Sequence, residues 1–442
     1  MIMLEKEPAT TQASSQPKRF LFAQWDGGGN VPPVVSIARR LTARGHAVHV
    51  LSDPCNRHEF EASGATFSAW KRAPVRRDHS PQSDPIRDWE ISSPLALLAR
   101  LRDRALFGPA LAYAQDLLDE LEGRGADALV TNDTLFGAMM AGERAGIPTI
   151  ALSPNIYLYP LPGMPPFGPG LLPATGILGR LRDHLITSLT RHILGKASAT
   201  YNQARATLGL PPLAHPLDQL ARLDRHLILT SRAFDFAPSH LPAGILYTGP
   251  ELSDPHFAAP WSGPNFDNRP LVLAGFSTTF QNHAEVLRRV IQALGTLPVN
   301  AVLTVGPALN LADFPAPPNV HVCASAPHSV LLKDASAVVT HCGHGTVIRS
   351  LAAGVPMLCM PMGRDQNDNA TRVVARGAGL LLKPTAEAEA IRNSISQLLQ
   401  TPSFRSQAQQ LGQRIAADAA ASPTVAILEE RASQPVLHRP RT

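Results

Sequence analysis

The segment 337–366, Ala-Val-Val-Thr-His-Cys-Gly-His-Gly-Thr-Val-Ile-Arg-Ser-Leu-Ala-Ala-Gly-Val-Pro-Met-Leu-Cys-Met-Pro-Met-Gly-Arg-Asp-Gln, leaves few folds open to this chain. Its apolar run at 337–340 predicts a buried strand, the small residues at 341–345 a turn, and 346–353 a helix. A Gly-Val-Pro break, a second apolar strand at 357–360 and a polar loop follow. Such a strand-turn-helix makes an anion cradle. Gly343 and Gly345 let the backbone approach closely, the free amides and dipole of the helix entry attract negative charge, and the Thr346 hydroxyl and His341 imidazole can donate to its oxygens. A diphosphate fits there.

The same alternation organises the rest. An apolar strand at 20–25 leads through Asp26-Gly27-Gly28-Gly29-Asn30 into a helix whose Val34, Ile37, Ala38 and Leu41 repeat at i, i+3, i+4 and i+7. Pro32 and Pro33 suit its entry, Gly45 its exit, and a strand at 46–51 follows. Strands at 128–131 and 148–152 flank a helix at 135–145, with another strand at 227–230. After a Pro-, Asp- and Asn-rich stretch the pattern restarts, with strands at 271–276, 301–305, 320–323 and 380–382 and a helix at 284–294. Such alternation argues parallel, doubly wound sheets. The boundaries expected are a disordered tail at 1–18, a first domain at 19–248, a linker at 249–269, a second domain at 270–425 and a C-terminal tail at 426–442. Two long loops interrupt the first domain. The stretch 71–94 is rich in Pro, Ser, Asp and Arg, and 154–179 is dense in Pro and Gly with apolar residues between, which favours a small-molecule pocket, with a packed surface loop as the alternative.

Composition removes other classes. Of 442 residues 44% are hydrophobic, enough for large cores, while 17% are charged and 5% aromatic, which fits neither a disordered chain nor an aromatic-rich nucleic-acid binder. The net charge of +5 is spread along the chain with no basic helix stripe. Cys55, Cys323, Cys342 and Cys359 never approach Cys-x-x-Cys spacing, so free thiols in a reducing, cytoplasmic compartment are expected. No apolar run reaches membrane-helix length, and no stable membrane insertion is expected.

The 337–366 segment also resembles the donor-binding signature of GT-B nucleotide-sugar glycosyltransferases of the UDP-glycosyltransferase superfamily. His341, Gly343, Gly345, Thr346, Gly354, Pro356, Pro361, Asp365 and Gln366 all fall in family register. The resemblance covers roughly residues 19–425 and implies two facing Rossmann-like, doubly wound domains with an interdomain cleft, the acceptor in the first and the donor in the second. It implies that His341, Gly345 and Thr346 hold the diphosphate, and that Asp365 and Gln366 accept hydrogen bonds from sugar hydroxyls. Gly275-Phe276-Ser277-Thr278 is similar to the family's phosphate loop, making Ser277 and Thr278 candidate phosphate donors, with ordinary loop capping as the alternative. Ser325-Ala326-Pro327-His328 stands where a Trp-x-Pro-Gln stretch receives the base, so Ala326 backbone groups are left to read its edge.

Departures from the family pattern matter as much. The place of the usual catalytic His is taken by Asn30, which cannot accept the proton but can orient a substrate. Asp133, ending a strand, is the first substitute, with helix capping as its alternative; Asp26 is the second, with a turn role as its alternative. Another group, or a substrate needing no strong base, is also open. Arg349 replaces the ribose-binding Glu, and donates where Glu accepts. These departures, the Gly-Gly-Gly-Asn loop and the stretch 163–170 are similar to bacterial antibiotic and polyketide glycosyltransferases. His328, His341 and His344 lack a completing carboxylate or Cys set, so no metal is expected. The expectation is an inverting, metal-independent transferase without a cofactor, moving a hexose from a UDP- or dTDP-sugar to a hydrophobic small-molecule acceptor in natural-product biosynthesis, with no nucleic-acid partner. The rivals are a nucleotide-sugar epimerase of the same architecture and a non-catalytic nucleotide-sugar-binding auxiliary protein, which Asn30 favours.

Overall fold

The apolar runs become two wholly parallel sheets in the computed structural model, which describes residues 16–253, 261–277 and 279–434. The first contains β1 (Arg19–Ala23), β2 (Ala47–Ser52), β3 (Thr66–Ala69), β4 (Ala128–Asn132), β5 (Thr149–Ser153), β6 (Arg225–Ile228) and β7 (Ile245–Tyr247), ordered β3-β2-β1-β4-β5-β6-β7. The second contains β8 (Leu271–Gly275), β9 (Asn300–Thr304), β10 (Val320–Cys323), β11 (Ala335–Thr340), β12 (Met357–Cys359) and β13 (Gly379–Leu381), ordered β10-β9-β8-β11-β12-β13. Strand order reverses between β1 and β4 in one sheet and between β8 and β11 in the other. Ligands of doubly wound sheets bind at such crevices, outside the carboxyl ends of the strands.

Helices cover both faces of each sheet, which is why the central strands carry apolar residues toward both sides. In β1, Phe20 and Phe22 enter one core with Val48 and Val130, while Leu21 and Ala23 enter the other with Leu51 and Leu129. In β8, Leu271 and Leu273 face one core, Val272 and Ala274 the other. Residues 426–433, placed in the C-terminal tail, are helical. The helix Thr424–Ser433 returns to the first half and buries Val425, Leu428 and Ala432 beside Phe20, Phe22 and Ile37. Glu429 anchors it, accepting from Arg44 Nε at 2.6 Å and lying 2.8 Å from His46 Nε2. Of the tails and linker expected at 1–18, 249–269 and 426–442, residues 1–15, 254–260 and 435–442 lie outside the described residues.

Both long loops are ordered by specific contacts. In 71–94 the buried Arg76 is the hub: its amide donates to Asp53 Oδ1 at 2.7 Å, and its guanidinium lies 3.3 Å from Asp26 and 3.7 Å from Asp84. The apolar residues of 154–179 divide between buried positions and the exposed Leu172, Ile177 and Leu178. Ile156, Tyr157 and Met164 are buried, and Phe167 packs on the core of the second half. The Gly168 amide donates to Asp368 Oδ2 at 2.7 Å and Thr371 Oγ1 to the Gly170 carbonyl at 2.7 Å, fastening this loop to the helix Gln366–Ala375. Gly170 is required: its φ is +68° and a Cβ would lie 2.8 Å from the Asn367 carbonyl oxygen. A buried Arg372–Asp235 ion pair at 2.7 Å and a Ser231–Asp418 hydrogen bond at 2.6 Å also join the halves.

Candidate active site

The cradle forms at the second sheet's switch point. His341 follows β11, Cys342 turns the chain with a left-handed φ of 69°, and Gly343 occupies the N-cap of the helix His344–Ala352. The helix therefore opens two residues before the expected Thr346, so Gly345 and Thr346 belong to its first turn. The Thr346 amide bonds to the Gly343 carbonyl at 3.1 Å, while the His344 and Gly345 amides precede the first intrahelical acceptor. A Cβ on Gly343 would lie 2.7 Å from His341 Nε2, so only glycine lets the imidazole fold against the helix entry. The Arg349 guanidinium returns over the same turn, 3.3 Å from where a Cβ of Gly345 would stand.

His341 is a neutral ring. Burial, then the neighbouring His283 and Arg364, push its pKa down to about 3 against a weak pull from the Gly275 carbonyl. Its Nδ1 is buried without a hydrogen bond, and the ring stacks on Phe276 with centroids 6.0 Å apart. His344 does not converge on the cradle. Its Nε2 lies 2.8 Å from Thr230 Oγ1 of the first half, which spends it on the interdomain contact.

β8 supplies the opposite wall. Ser277 Oγ lies 3.0 Å from Thr279 Oγ1 and accepts from the Thr279 amide at 3.2 Å; Thr278 lies outside the described residues. His328 begins a short helix after β10, its imidazole 3.8 Å from where a Cβ of Gly275 would stand, and Ala326 is buried beside it.

Asp365 stands at the N-cap position of the helix Gln366–Ala375, without a capping side-chain hydrogen bond, and is partly exposed. Burial raises its pKa against the opposing Asn369 hydrogen bond and Arg364 charge. Asn369 Nδ2 donates to Asp365 Oδ2 at 2.8 Å and to the Cys342 carbonyl at 3.0 Å, tying the loop acid to the cradle turn. Gln366 is turned inward. Its Oε1 accepts from the Met362 amide at 2.8 Å and its Nε2 donates to Gln281, so its oxygen is already engaged by protein. Asn369, Arg364 and His283 were missed in the sequence; only Asn369, one turn after Asp365, carried a local signal.

On the first half Asn30 clips its own loop, accepting from the Gly27 amide at 2.9 Å and donating to the Trp25 carbonyl at 3.1 Å. Asp133 is neither a cap nor open to a cleft. It is 1% exposed, accepts from Ser153 Oγ and lies 3.6 Å from His226 Nε2, while Leu135 occupies the N-cap of the helix Phe136–Ala145. In this conformation the carboxylate is shielded from solvent. Asp26, after β1, is also buried but sits in a charged cluster: Oδ1 accepts from the Gly28 amide at 2.9 Å, and Oδ2 lies 3.3 Å from Arg76 and 3.4 Å from His79 Nδ1. Burial raises the Asp26 pKa, but His79 and Arg76 outweigh it and leave the carboxylate lowered. His79 was not anticipated, being a lone loop histidine with no local pattern.

Asp26, Cys55 and His79 bring ligand atoms within 4.8 Å of one another. The Arg76 guanidinium at 3.3 Å already supplies positive charge there, which opposes a cation. A separate cavity of about 540 Å³ lies between the halves, lined by Arg232, Asp235, Phe236, Arg376 and Arg414. It sits at the far end of the ten-residue helix Gln366–Ala375, roughly 15 Å from Asp365, and is not the place where cradle and loop acid converge. Among the described residues no helix is long and apolar enough to cross a membrane.

Residues 288–431 match the family described as erythromycin biosynthesis protein CIII-like, C-terminal domain. The chain is 31% identical over 423 residues to 4'-demethylrebeccamycin synthase of Lentzea aerocolonigenes, covering 93% of this chain and 99% of that one. Among solved structures it is similar to the glycotransferase of kitacinnamycin, with a TM-score of 0.73 at 19% identity over 94% of this chain and 100% of that one. It is also similar to the glycosyltransferase VinC in complex with dTDP, with a TM-score of 0.63 at 20% identity over 93% of this chain and 100% of that one.

Proposed function

The chain belongs to the bacterial natural-product glycosyltransferases of the UDP-glycosyltransferase superfamily and has their GT-B fold; from that premise we propose an inverting, metal-independent enzyme that moves a hexose from a UDP- or dTDP-sugar to a hydrophobic small molecule. The observation that carries this reading is the convergence of His341, the free amides of the helix His344–Ala352 and the Asn369-tethered Asp365 at one switch point. The cradle receives the diphosphate, Asp365 orients the sugar, and the charge growing on the leaving group falls on His341, Gly345, Thr346 and the helix amides. Ser277, Thr278 and the Ala326–His328 turn complete the donor side. Gln366 shapes the loop that presents Asp365. The dTDP bound to VinC and the transferase names of several relatives favour this reading over an epimerase or an auxiliary protein. The four free cysteines fit a reducing, cytoplasmic setting.

The test is thermal unfolding with UDP, dTDP and their hexose conjugates. A true donor at a hundredfold over its Kd stabilises by about 2.7 kcal/mol. Stabilisation by none of them overturns the donor assignment.

A further inference from the structure

With Asn30 clipped into its own loop and Asp133 buried, neither can take a proton from an acceptor, yet deprotonation is what an inverting transfer to a hydroxyl or amine requires. One titratable pair on the first half has the geometry for it. Asp26 follows β1, at the switch point between β1 and β4, and its Oδ2 lies 3.4 Å from Nδ1 of His79, on the loop after β3. The carboxylate is 4% exposed and held by the Gly28 amide and Arg76, whereas the His79 side chain is 37% exposed. An imidazole bonded to a buried carboxylate through Nδ1 has a fixed tautomer, and Nε2, on the far edge of the ring, is left to receive a proton. The same loop reaches the donor half: Asp88 bonds to Arg364, and Trp89 meets Phe280 edge to face at 5.1 Å.

We propose that His79 is the general base of the transfer and Asp26 its positioning residue, an assignment that rests on the transferase reading above. As the acceptor oxygen or nitrogen bonds to the anomeric carbon, its proton passes to His79 Nε2. The bond from that carbon to the diphosphate oxygen breaks, and its electron pair leaves with the nucleoside diphosphate. The Asp26 carboxylate stabilises the imidazolium, which then releases the proton to solvent.

The surrounding charges fit that task. The Asp26 hydrogen bond raises the His79 pKa above its usual value, against burial and the Arg76 charge, and Glu59 adds to the rise. Cys55 Sγ lies 3.6 Å from Asp26, with a thiol pushed far up by burial, and Asp53 accepts from the Asp26 amide at 2.7 Å while burial pushes its own pKa up to about 7.

Two phenols of different acidity test it, with UDP-glucose and dTDP-glucose as donors: 2,4-dinitrophenol, ionised at neutral pH, and 4-methoxyphenol, which is not. His79→Gln is expected to lose at least about 100-fold in kcat with 4-methoxyphenol and less than about fivefold with dinitrophenolate, which needs no base. In the wild type kcat/KM for 4-methoxyphenol rises with pH along a limb that His79→Gln lacks and that Asp26→Asn shifts to lower pH. Nucleotide-induced thermal stabilisation, unchanged in both variants, shows that they fold. Equal losses on the two phenols, or an unchanged limb in His79→Gln, overturn the assignment. A wild type that is neither stabilised by nucleotide nor able to consume either sugar nucleotide overturns the transferase reading itself.

Discussion

Arg364 of the second half closes on Asp88 of the first, its Nη2 donating to Oδ1 at 3.0 Å. The same guanidinium donates through Nη1 to Thr279 Oγ1 at 2.8 Å and helps hold His341 neutral, so one side chain couples the interdomain contact to the donor wall. A charge-assisted hydrogen bond of this kind contributes about 1.5 to 3 kcal/mol, less here because the pair is partly exposed. Arg364→Ala is expected to weaken nucleoside diphosphate binding about tenfold and Asp88→Ala less. In a double-mutant cycle the losses should be non-additive by about 0.5 kcal/mol or more, and additive losses would show that the contact does not couple the halves.

Gly343→Ala tests the cradle without touching a polar group. The new Cβ, 2.7 Å from His341 Nε2, must displace the imidazole or the helix entry. Nucleotide affinity is expected to fall at least tenfold with little change in thermal midpoint without ligand, and His341→Ala should show the same pattern through loss of about 1.5 to 3 kcal/mol of phosphate contact. Calorimetric titration with UDP and dTDP reads both. Unchanged affinity in either variant removes His341 from the site.

Where structure follows from local pattern, the sequence was readable. The strand at 128–131 and the helix at 284–294 are found as Ala128–Asn132 and Ala284–Gly295, because apolar periodicity and small-residue breaks are local signals. The strand-turn-helix at 335–352 was legible for the same reason. Its helix entry was misplaced because His344 and Gly345 are weak helix formers, although a first turn capped by Gly343 tolerates them. The first half's site was not legible. Arg76 draws together Asp26, Asp53 and Asp84 from three separate loops, and Asp133 meets Ser153 and His226 across three strands, pairings that no spacing encodes.

Acid should loosen the donor half. Burial pushes His341 and His344 down to about 3 and His283 down to about 4 from an ordinary 6.5. The unfolded chain takes up protons that the folded chain refuses, so their stabilisation is full above about pH 6.5 and falls as pH drops toward those values, by about 1.4 kcal/mol per unit for each. Asp53, pushed up to about 7, and Asp368, up to about 6, act oppositely, their contribution being lost as pH rises through those values. The wild-type slope is thus a balance, and His344→Gln isolates one part. Denaturant unfolding from pH 7.5 to 4.5 should be less pH-dependent in the variant, and an identical slope would show that His344 titrates normally.

Transfer should survive a chelator. The cluster Asp26, Cys55 and His79 is the group among the described residues able to offer three ligand atoms, and Arg76 already fills its electrostatic need. Activity after exhaustive treatment with EDTA is expected within about twofold of the untreated enzyme, since protein donors carry the diphosphate charge. A loss restored by zinc or magnesium would assign a metal role instead.

Asp133→Asn separates a structural carboxylate from a chemical one. Ser153 Oγ donates to Asp133 Oδ2 and lies 2.8 Å from His226 Nε2, while Tyr159 OH donates to the Asp133 carbonyl at 2.7 Å, so the side chain closes a buried network. An amide preserves its shape but places a donor or a neutral oxygen against Ser153 and His226, leaving a buried group imperfectly paired at a cost of about 1 to 3 kcal/mol. The variant should unfold at lower temperature, yet turnover per folded molecule should stay within about threefold of wild type, in contrast to His79→Gln. A fall of about 100-fold in kcat at unchanged stability would return the proton-accepting role to Asp133 and remove it from His79.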